Sequence, residues 1–235
     1  MAIPCRAHDT APGHAATGGV AARSCYDPAP TTADLEKRPL GFLRANQEAT
    51  MATARTALMT AHDLYDLPDD AHRYELVRGE LRRMPPIGGE HGRKTGDLTV
   101  PLWTHIRSRH LGGLFVGDPG FVFERDPDTV LAPDLAFVRA EILAGVVDPT
   151  RFLEVVPDLV VEIVSPSDWP AKVAAKVAAY HGFGVPLVWV LDPPPRTLTV
   201  HPRGAVPRVL GAGDILDGGN VLPGFRLPLG EPFAS

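Results

Sequence analysis

The chain has 235 residues, 44% of them apolar and 22% charged, which is enough for one domain with a sizeable core plus an extension. Its formal net charge of −5 argues against a protein that coats nucleic acid through positive charge alone, but not against an enzyme that contacts DNA locally. The absence of any run of eighteen apolar residues excludes a membrane-spanning helix. Both cysteines, Cys5 and Cys25, precede the candidate core, which excludes a disulfide or cysteine–metal site there. We expect a cytoplasmic protein without a membrane partner.

The first 50 residues differ from the remainder of the chain. They are rich in Ala, Gly, Thr and Pro and follow no helical or strand period, so they bury too little apolar surface to offset their ordering entropy. We expect residues 1–57 to be disordered, or to be an upstream over-extension of a chain that begins at Met51 or Met59. The predicted domain spans residues 58–235, where 17 lysines and arginines face 23 aspartates and glutamates.

The pattern of the domain predicts alternating helices and strands in an α/β (α+β) fold. Thr60 and Asp63 form a capping-box-like start to a short helix, and Arg78-Gly79 separates the two strands of a hairpin. Helices are predicted at 60–67, 90–110 and 168–180, the last capped by Asp168, and strands at 74–77, 80–84, 114–116, 120–124, 133–138, 158–164, 187–191, 196–200 and 207–210. The strand–helix–strand order over 158–191 predicts a crossover between neighbouring parallel strands, with antiparallel pairing elsewhere. The result is a mixed sheet flanked by helices.

Two acids interrupt the apolar strands of this predicted sheet. Glu162 lies inside a buried strand and Asp134 begins another, and a carboxylate in such a position is costly unless something compensates it. A divalent metal would compensate both, and hard oxygen ligands of this kind select Mg²⁺ or Mn²⁺. Glu75 supplies a third acid from the hairpin. The alternatives are a buried arginine partner for Glu162, a strand-initiating turn at Asp134 and a water-facing edge acid at Glu75.

The domain has only three lysines, against fourteen arginines, and two of them share one helix. Lys172 and Lys176 are four residues apart and therefore lie on the same helix face, directly after Glu162 in the chain. Near a metal, such an ammonium could position water or stabilise the charge of a phosphate. The alternative is a solvated helix face. Ser165 reads as part of a turn and helix cap, because no histidine lies near it in sequence to activate it as a nucleophile.

Several motifs stand in one order along the domain: YELVRGEL at 74–81, His91, APDLAFV at 132–138, PDLVVEIVSPSD at 157–168, KVAAY at 176–180 and GVPLVWVLDP at 184–193. In this order they resemble the Uma-two family, a branch of the PD-(D/E)XK restriction-endonuclease-like superfamily. The likeness covers about residues 58–230. It implies a mixed sheet flanked by helices and a Mg²⁺-dependent (or Mn²⁺-dependent) site that hydrolyses phosphodiesters, with DNA as the substrate and a homodimer as the working unit.

The resemblance also implies roles for individual residues. Asp134 and Glu162 match the metal-binding acids of the family, and Glu75 matches its earlier glutamate. The superfamily lysine that usually stands two residues after the second acid is replaced here by Val164, and the resemblance places it at Lys176 on the next helix. His91 matches a family position that could approach the site, with a surface or helix-cap histidine as the alternative. Lys172, and the pair Trp169-Pro170, depart from the family pattern, which bears on how substrate is handled.

Three functions remain open at this point. The first is a metal-dependent endonuclease that uses Asp134, Glu162 and Lys176. The second is a non-catalytic nucleic-acid-binding or protein-binding module that keeps the nuclease fold. The third is a hydrolase that applies the same carboxylate and metal chemistry to a small phosphodiester. A cleavage assay with and without divalent metal separates the first from the second.

Overall fold

A computed structural model describes residues 58–68, 70, 72–166, 168–230 and 232–233. The expected disorder or over-extension of residues 1–57 therefore lies outside the described residues. Across the described part of the chain, no helix is both long and apolar enough to cross a membrane.

The described residues form four helices and twelve strands. The helices are α1 (Ala61–Tyr65), α2 (Gly89–Ser108), α3 (Ala140–Leu143) and α4 (Pro170–Gly182). The first six strands are β1 (Arg73–Val77), β2 (Glu80–Met84), β3 (Gly112–Val116), β4 (Phe121–Glu124), β5 (Thr129–Leu131) and β6 (Leu135–Arg139). The remaining strands are β7 (Leu159–Ile163), β8 (Leu187–Asp192), β9 (Thr197–Pro202), β10 (Arg208–Leu210), β11 (Ile215–Asp217) and β12 (Arg226–Pro228).

A central sheet carries the site. Its strand order, among the described residues, is β10-β9-β8-β7-β6-β3, with β7 and β8 parallel and the other neighbours antiparallel. Because α4 connects β7 to β8, the predicted parallel strand–helix–strand unit is confirmed. Side chains alternate between the faces of a strand, so odd-numbered residues of β7 pack on one core and Val160 packs on another. The mixed sheet with flanking helices is the fold class that the sequence predicts.

The two faces of this sheet have different cover. Leu98, Leu102 and Ile106 of α2 pack with Trp189 and the C-terminal segment on one face. Val177 and Tyr180 of α4 cover the other face, where Leu131 of β5 joins them. On this second face, Glu162 near the end of β7 meets the polar groups of Lys176 and Tyr180.

A smaller sheet, in the order β2-β1-β5-β4, holds the predicted hairpin. Arg78 and Gly79 at its turn have φ values of 52° and 78°, which fit a two-residue hairpin loop. Gly79 is required by space as well as by backbone angle, since a Cβ there would lie 2.5 Å from the Cβ of Leu58. The capping box of Thr60 and Asp63 also forms as predicted, with Thr60 Oγ1 accepting from the Asp63 amide at 3.1 Å.

Two local features differ from the sequence predictions. The short elements β5 and α3 were not predicted, because three or four residues carry too little periodicity to show. The prediction that Asp168 caps α4 is wrong, since Trp169 is the N-cap and makes no side-chain cap bond. The Asp168 carboxylate instead accepts from the Ser165 amide at 3.1 Å and from Lys172 Nζ at 2.7 Å. It closes the turn that precedes the helix, while Pro170 occupies the first turn as expected.

Candidate active site

Asp134 and Glu162 are brought together by the register of two antiparallel strands. The Cα atom of Leu135 pairs with that of Val161, so extending the register by one residue places Asp134 opposite Glu162. The Ile163 amide confirms this proximity by donating to Asp134 Oδ2 at 2.6 Å. Glu162 shares its strand face with Val160 and therefore points toward α4. The two predicted acids thus meet at one end of the central sheet.

Glu162 is held by two donors from α4. Lys176 Nζ donates to Glu162 Oε2 at 2.9 Å and the Tyr180 hydroxyl donates to Oε1 at 2.6 Å. Burial raises the pKa of Glu162 to about 7, with the Lys176 ammonium opposing that rise and the Asp134 charge adding to it. The ionised form of this carboxylate is therefore costly in the folded protein, which is the property expected of a group that binds a cation. The arginine partner considered from the sequence is replaced by Lys176.

Lys176 lies between two carboxylates and is only partly exposed to solvent. Its ammonium is 3.5 Å from Glu75 Oε1, and its side chain is 22% exposed. Glu162 and Glu75 raise its pKa against the opposing effect of burial, so the ammonium stays charged. The solvated-helix-face alternative is thus wrong for Lys176.

Glu75 is also inside the protein. It is 4% exposed, and its Oε1 accepts from the Ala132 amide at 3.1 Å. The alternative of an edge acid facing water is therefore wrong. The same oxygen, Oε1, also lies near the Lys176 ammonium. Glu75 therefore links the small sheet to α4.

A hydrogen-bonded chain of three side chains fixes Asp134. His91 Nε2 donates to Asp134 Oδ1 at 2.8 Å, and His91 Nδ1 lies 3.2 Å from Ser165 Oγ. The bond to Asp134 raises the pKa of His91, although burial opposes this shift. His91 is 7% exposed, so it is a site residue and not a surface histidine. Both oxygens of Asp134 are therefore oriented by the protein.

These residues line one cavity of about 440 Å³. Asp134, Glu162, Lys176, His91 and Lys172 all contribute to its wall, whereas Glu75 contacts Lys176 from behind. The rest of the cavity wall has apolar side chains and one ion pair, between Arg73 of β1 and Asp118 of the loop after β3. Its other lining residues include Arg73, Asp118, Met84, Pro86, Ile87 and Val173.

Three features of the site were not found from the sequence. Tyr180 lies four residues after Lys176 on one helix face, a spacing that was available as a signal. Ser165 reaches His91 across 74 residues of sequence, so local inspection could not detect that pair. The pairing of Arg73 with Asp118 likewise joins distant segments. The structure therefore places a histidine beside Ser165, where the sequence indicated none.

The donor set fits a hard divalent cation better than a soft one. No group of three or more His, Cys, Asp or Glu side chains is placed to hold an ion among the described residues. Glu75 therefore does not form a three-carboxylate group with Asp134 and Glu162. Mg²⁺ is commonly held by one or two carboxylates, with water and substrate phosphate oxygens completing its shell. Asp134 and Glu162 supply that pair of carboxylates in one cavity.

Comparisons with known proteins identify the fold and the family of the chain. The chain is similar to a solved structure from Anabaena variabilis described as "a putative nuclease belonging to DUF820", with 17% sequence identity and a TM-score of 0.64. The match covers 74% of this chain and 97% of that one, and it shows a shared fold. None of the curated proteins matches the chain. The model of the Uma2 family, described as "Putative restriction endonuclease", matches residues 61–230. The resemblance seen in the motifs is therefore confirmed, and the chain belongs to the Uma2 family.

Proposed function

We propose that this protein is a metal-dependent endonuclease that hydrolyses phosphodiester bonds of DNA. The observation that carries the proposal is the meeting of Asp134, Glu162 and the Lys176 ammonium in one cavity, with the two acids opposite each other across β6 and β7. Membership of a family described as a restriction endonuclease supports the same reaction class.

Asp134 and Glu162 are the residues that would hold Mg²⁺ or Mn²⁺. When bound there, such an ion would polarise a phosphate oxygen and lower the pKa of a coordinated water. The Ile163 amide and His91 orient the two oxygens of Asp134, and each oxygen keeps a lone pair that could bind the ion. Glu162 pairs with Lys176, whose charge offsets part of the cost of its ionisation. The resemblance implies that Glu75 completes the ion's shell, but its contact with Lys176 favours a role in positioning that ammonium.

The reaction is the addition of water to phosphorus with loss of an alkoxide. The water oxygen forms the new P–O bond, the bond to the leaving oxygen breaks, and a proton passes to that oxygen. Lys176 stabilises the negative charge that grows on the phosphoryl oxygens, because its ammonium is already fixed by Glu162 and Glu75. Fixed charges in a partly buried cavity act more strongly than solvated ones. His91 and Lys172 line the cavity, and we propose that they contact substrate.

A cleavage assay tests this proposal. The full chain is incubated with supercoiled plasmid and with end-labelled oligonucleotides, in EDTA, Mg²⁺ or Mn²⁺. We expect nicked or linear products with either metal and none in EDTA. Binding of DNA without cleavage under every metal condition would favour the non-catalytic binding module. Cleavage of bis(p-nitrophenyl) phosphate but not of any DNA would favour the small-phosphodiester hydrolase.

One observation favours a second candidate, a serine hydrolase. Ser165, His91 and Asp134 are joined by contacts of 3.2 and 2.8 Å in the order of a nucleophile, a base and an acid. Replacing Ser165 with alanine separates the two functions. A serine hydrolase would lose turnover on p-nitrophenyl esters, by a factor on the order of 10³ or more. The proposed nuclease would keep its metal-dependent cleavage within a few-fold, because Ser165 only supports the ring of His91.

The working unit proposed with this function is a homodimer, since cutting both strands of a duplex is simplest with two sites. Sedimentation of the full chain at micromolar concentration measures it directly. The cytoplasmic location expected from the sequence stays a prediction.

A further inference from the structure

Trp169 occupies a position that the fold alone does not explain. It is the N-cap of α4, where small polar residues are favoured because they accept hydrogen bonds from the first turn. Trp169 makes no such bond and is 69% exposed. A large apolar side chain at this position neither caps the helix nor fills the core, so its stability contribution does not account for it.

The backbone of Trp169 is nevertheless well fixed. Pro170 follows it, and a residue before proline is restricted to extended conformations. Trp169 has φ −92° and ψ 152°, within that restricted region. Its carbonyl oxygen also accepts from the amides of Lys172 and Val173, at 2.9 and 3.3 Å. The Trp169 ring is thus exposed to solvent, while its backbone is held in one conformation.

The Trp169 backbone adjoins the wall of the catalytic cavity. Asp168, directly before Trp169, lines the cavity, and so do Lys172 and Val173, which bond to its carbonyl. Ile87, another lining residue, is 45% exposed. The opening therefore combines apolar surface with the Lys172 ammonium. The cavity volume of about 440 Å³ is enough for a single nucleotide.

We propose that Trp169 stacks on an unpaired base of single-stranded DNA, or of a frayed strand end, while the neighbouring phosphate enters the cavity. This inference rests on the proposed nuclease function and names its substrate class. An aromatic ring can stack on any base, but only when the base face is uncovered, as it is in a single strand. Lys172 is half-exposed, lines the same cavity and pairs with Asp168 at 2.7 Å, and its ammonium would bind the next phosphate of such a strand.

Anisotropy of a fluorescein-labelled oligo-dT strand, measured in EDTA, tests the proposal. We expect Trp169→Ala to weaken binding by about 5- to 150-fold, the range for loss of one stacked base, and Trp169→Tyr to restore most of it. Trp103→Ala is the matched control, because Trp103 is 46% exposed but lies about 18 Å further along α2 than His91 at the usual helical rise. In a Trp103→Phe background, oligo-dT should also quench tryptophan fluorescence, since the other tryptophan, Trp189, is fully buried.

Two results would overturn the stacking role. One is equal affinity of Trp169→Ala and wild-type protein for the single strand, and the other is no single-strand binding by the wild-type protein. The same strand is then incubated with Mg²⁺ or Mn²⁺, which tests the nuclease function separately. Tight, Trp169-dependent binding without cleavage would reject the nuclease and keep the stacking site. Equal binding and equal cleavage of the strand by Trp169→Ala and wild-type protein would reject the stacking site and keep the nuclease.

Discussion

The two faces of strand β7 (Leu159–Ile163) divide stability from chemistry. Leu159, Val161 and Ile163 on one face are at most 3% exposed and pack in the largest apolar core. On the other face, Val160 is followed by Glu162, which contacts a lysine and a tyrosine. Five residues of one strand thus serve both purposes, because alternate side chains point to opposite faces.

The difference shows where this fold tolerates an electrostatic cost. A buried carboxylate with a raised pKa lowers stability, and it persists here beside a face whose apolar burial is large. Residues on the apolar face should therefore control folding without affecting cleavage, whereas the charged residues on the polar face should control cleavage and affect stability only through their charge. Substitutions on each face test this division.

The largest expected effect is that of Asp134→Asn. It keeps the shape of the side chain but removes charge from a proposed metal ligand, so cleavage should fall on the order of 10³-fold. Titration calorimetry with Mn²⁺ should show a matching loss of affinity, while the melting temperature does not fall. Asp148→Asn, at an exposed position, is the control. Full cleavage by Asp134→Asn would remove this carboxylate from the mechanism.

Leu159→Ala should show the converse behaviour. Leu159 is fully buried, so deleting three carbons from its side chain should lower the free energy of unfolding by about 3 kcal/mol. Cleavage per folded molecule, measured well below the melting temperature, should stay within about two-fold by the separation of the faces. Val147→Ala, at a side chain that is 98% exposed, should change neither quantity. Loss of specific activity in folded Leu159→Ala would show that the faces are coupled.

Lys176→Met should separate metal binding from turnover on the polar face. The lysine acts on phosphate charge and not on the ion, so cleavage should fall about 10²-fold while Mn²⁺ affinity is largely retained. Lys172→Met, one turn earlier on the same helix face, removes a proposed substrate contact and should weaken DNA binding while turnover stays within a few-fold of wild type. A Lys176→Met protein with wild-type turnover would end the catalytic role of this lysine but not that of the two acids.

Glu162→Gln should change how stability depends on pH in EDTA. The unfolded carboxyl loses its proton near pH 4.5 and the folded one near 7, so the folded state binds more protons between these values. The free energy of unfolding of the wild-type protein should therefore fall as pH rises through that window. The glutamine variant should not show this fall. Between pH 5 and pH 8, the free energy of unfolding of the variant should rise on the order of 2 kcal/mol relative to that of the wild type.

Glu80→Gln, at an exposed strand position, is the control for this pH series and should follow wild type. The opposite sign is also informative. If Glu162→Gln is less stable than wild type at pH 8 by several kcal/mol, Glu162 serves mainly as the partner of Lys176, and the ion pair is structural.

Much of the fold was predictable because its signals are local. The hairpin at Arg78-Gly79 and the β7-α4-β8 unit are encoded by contiguous turn residues and apolar runs. The pairing of Asp134 with Glu162 was also predictable, since both acids interrupt apolar strands. The division into separate sheets was not, because β1 contacts β5 through residues 54 positions apart, Leu76 and Val130.

The rest of the site depends on contacts that no local pattern contains. Ser165 was assigned to a turn, which it forms, but the fold also places it beside His91 on a different element. Aspartate commonly caps helices, yet the Asp168 carboxylate accepts hydrogen bonds from the Ser165 amide and the Lys172 ammonium. Propensity identified these residues as polar and turn-forming, and tertiary packing decided which partners they contact.

Side chains alternate between the two faces of a strand, so the positions of Asp134 and Glu162 relative to β6 (Leu135–Arg139) and β7 decide whether each acid points to the site or to the apolar core. Inserting one residue within either strand would move its acid to the apolar face, whereas inserting two would return it to the original face one repeat away. Point substitutions can weaken this site gradually, but a single-codon insertion or deletion between Asp134 and Val138 would abolish it in one step. Loops outside this pair are free of that constraint, so length variation among descendants of this gene should accumulate there.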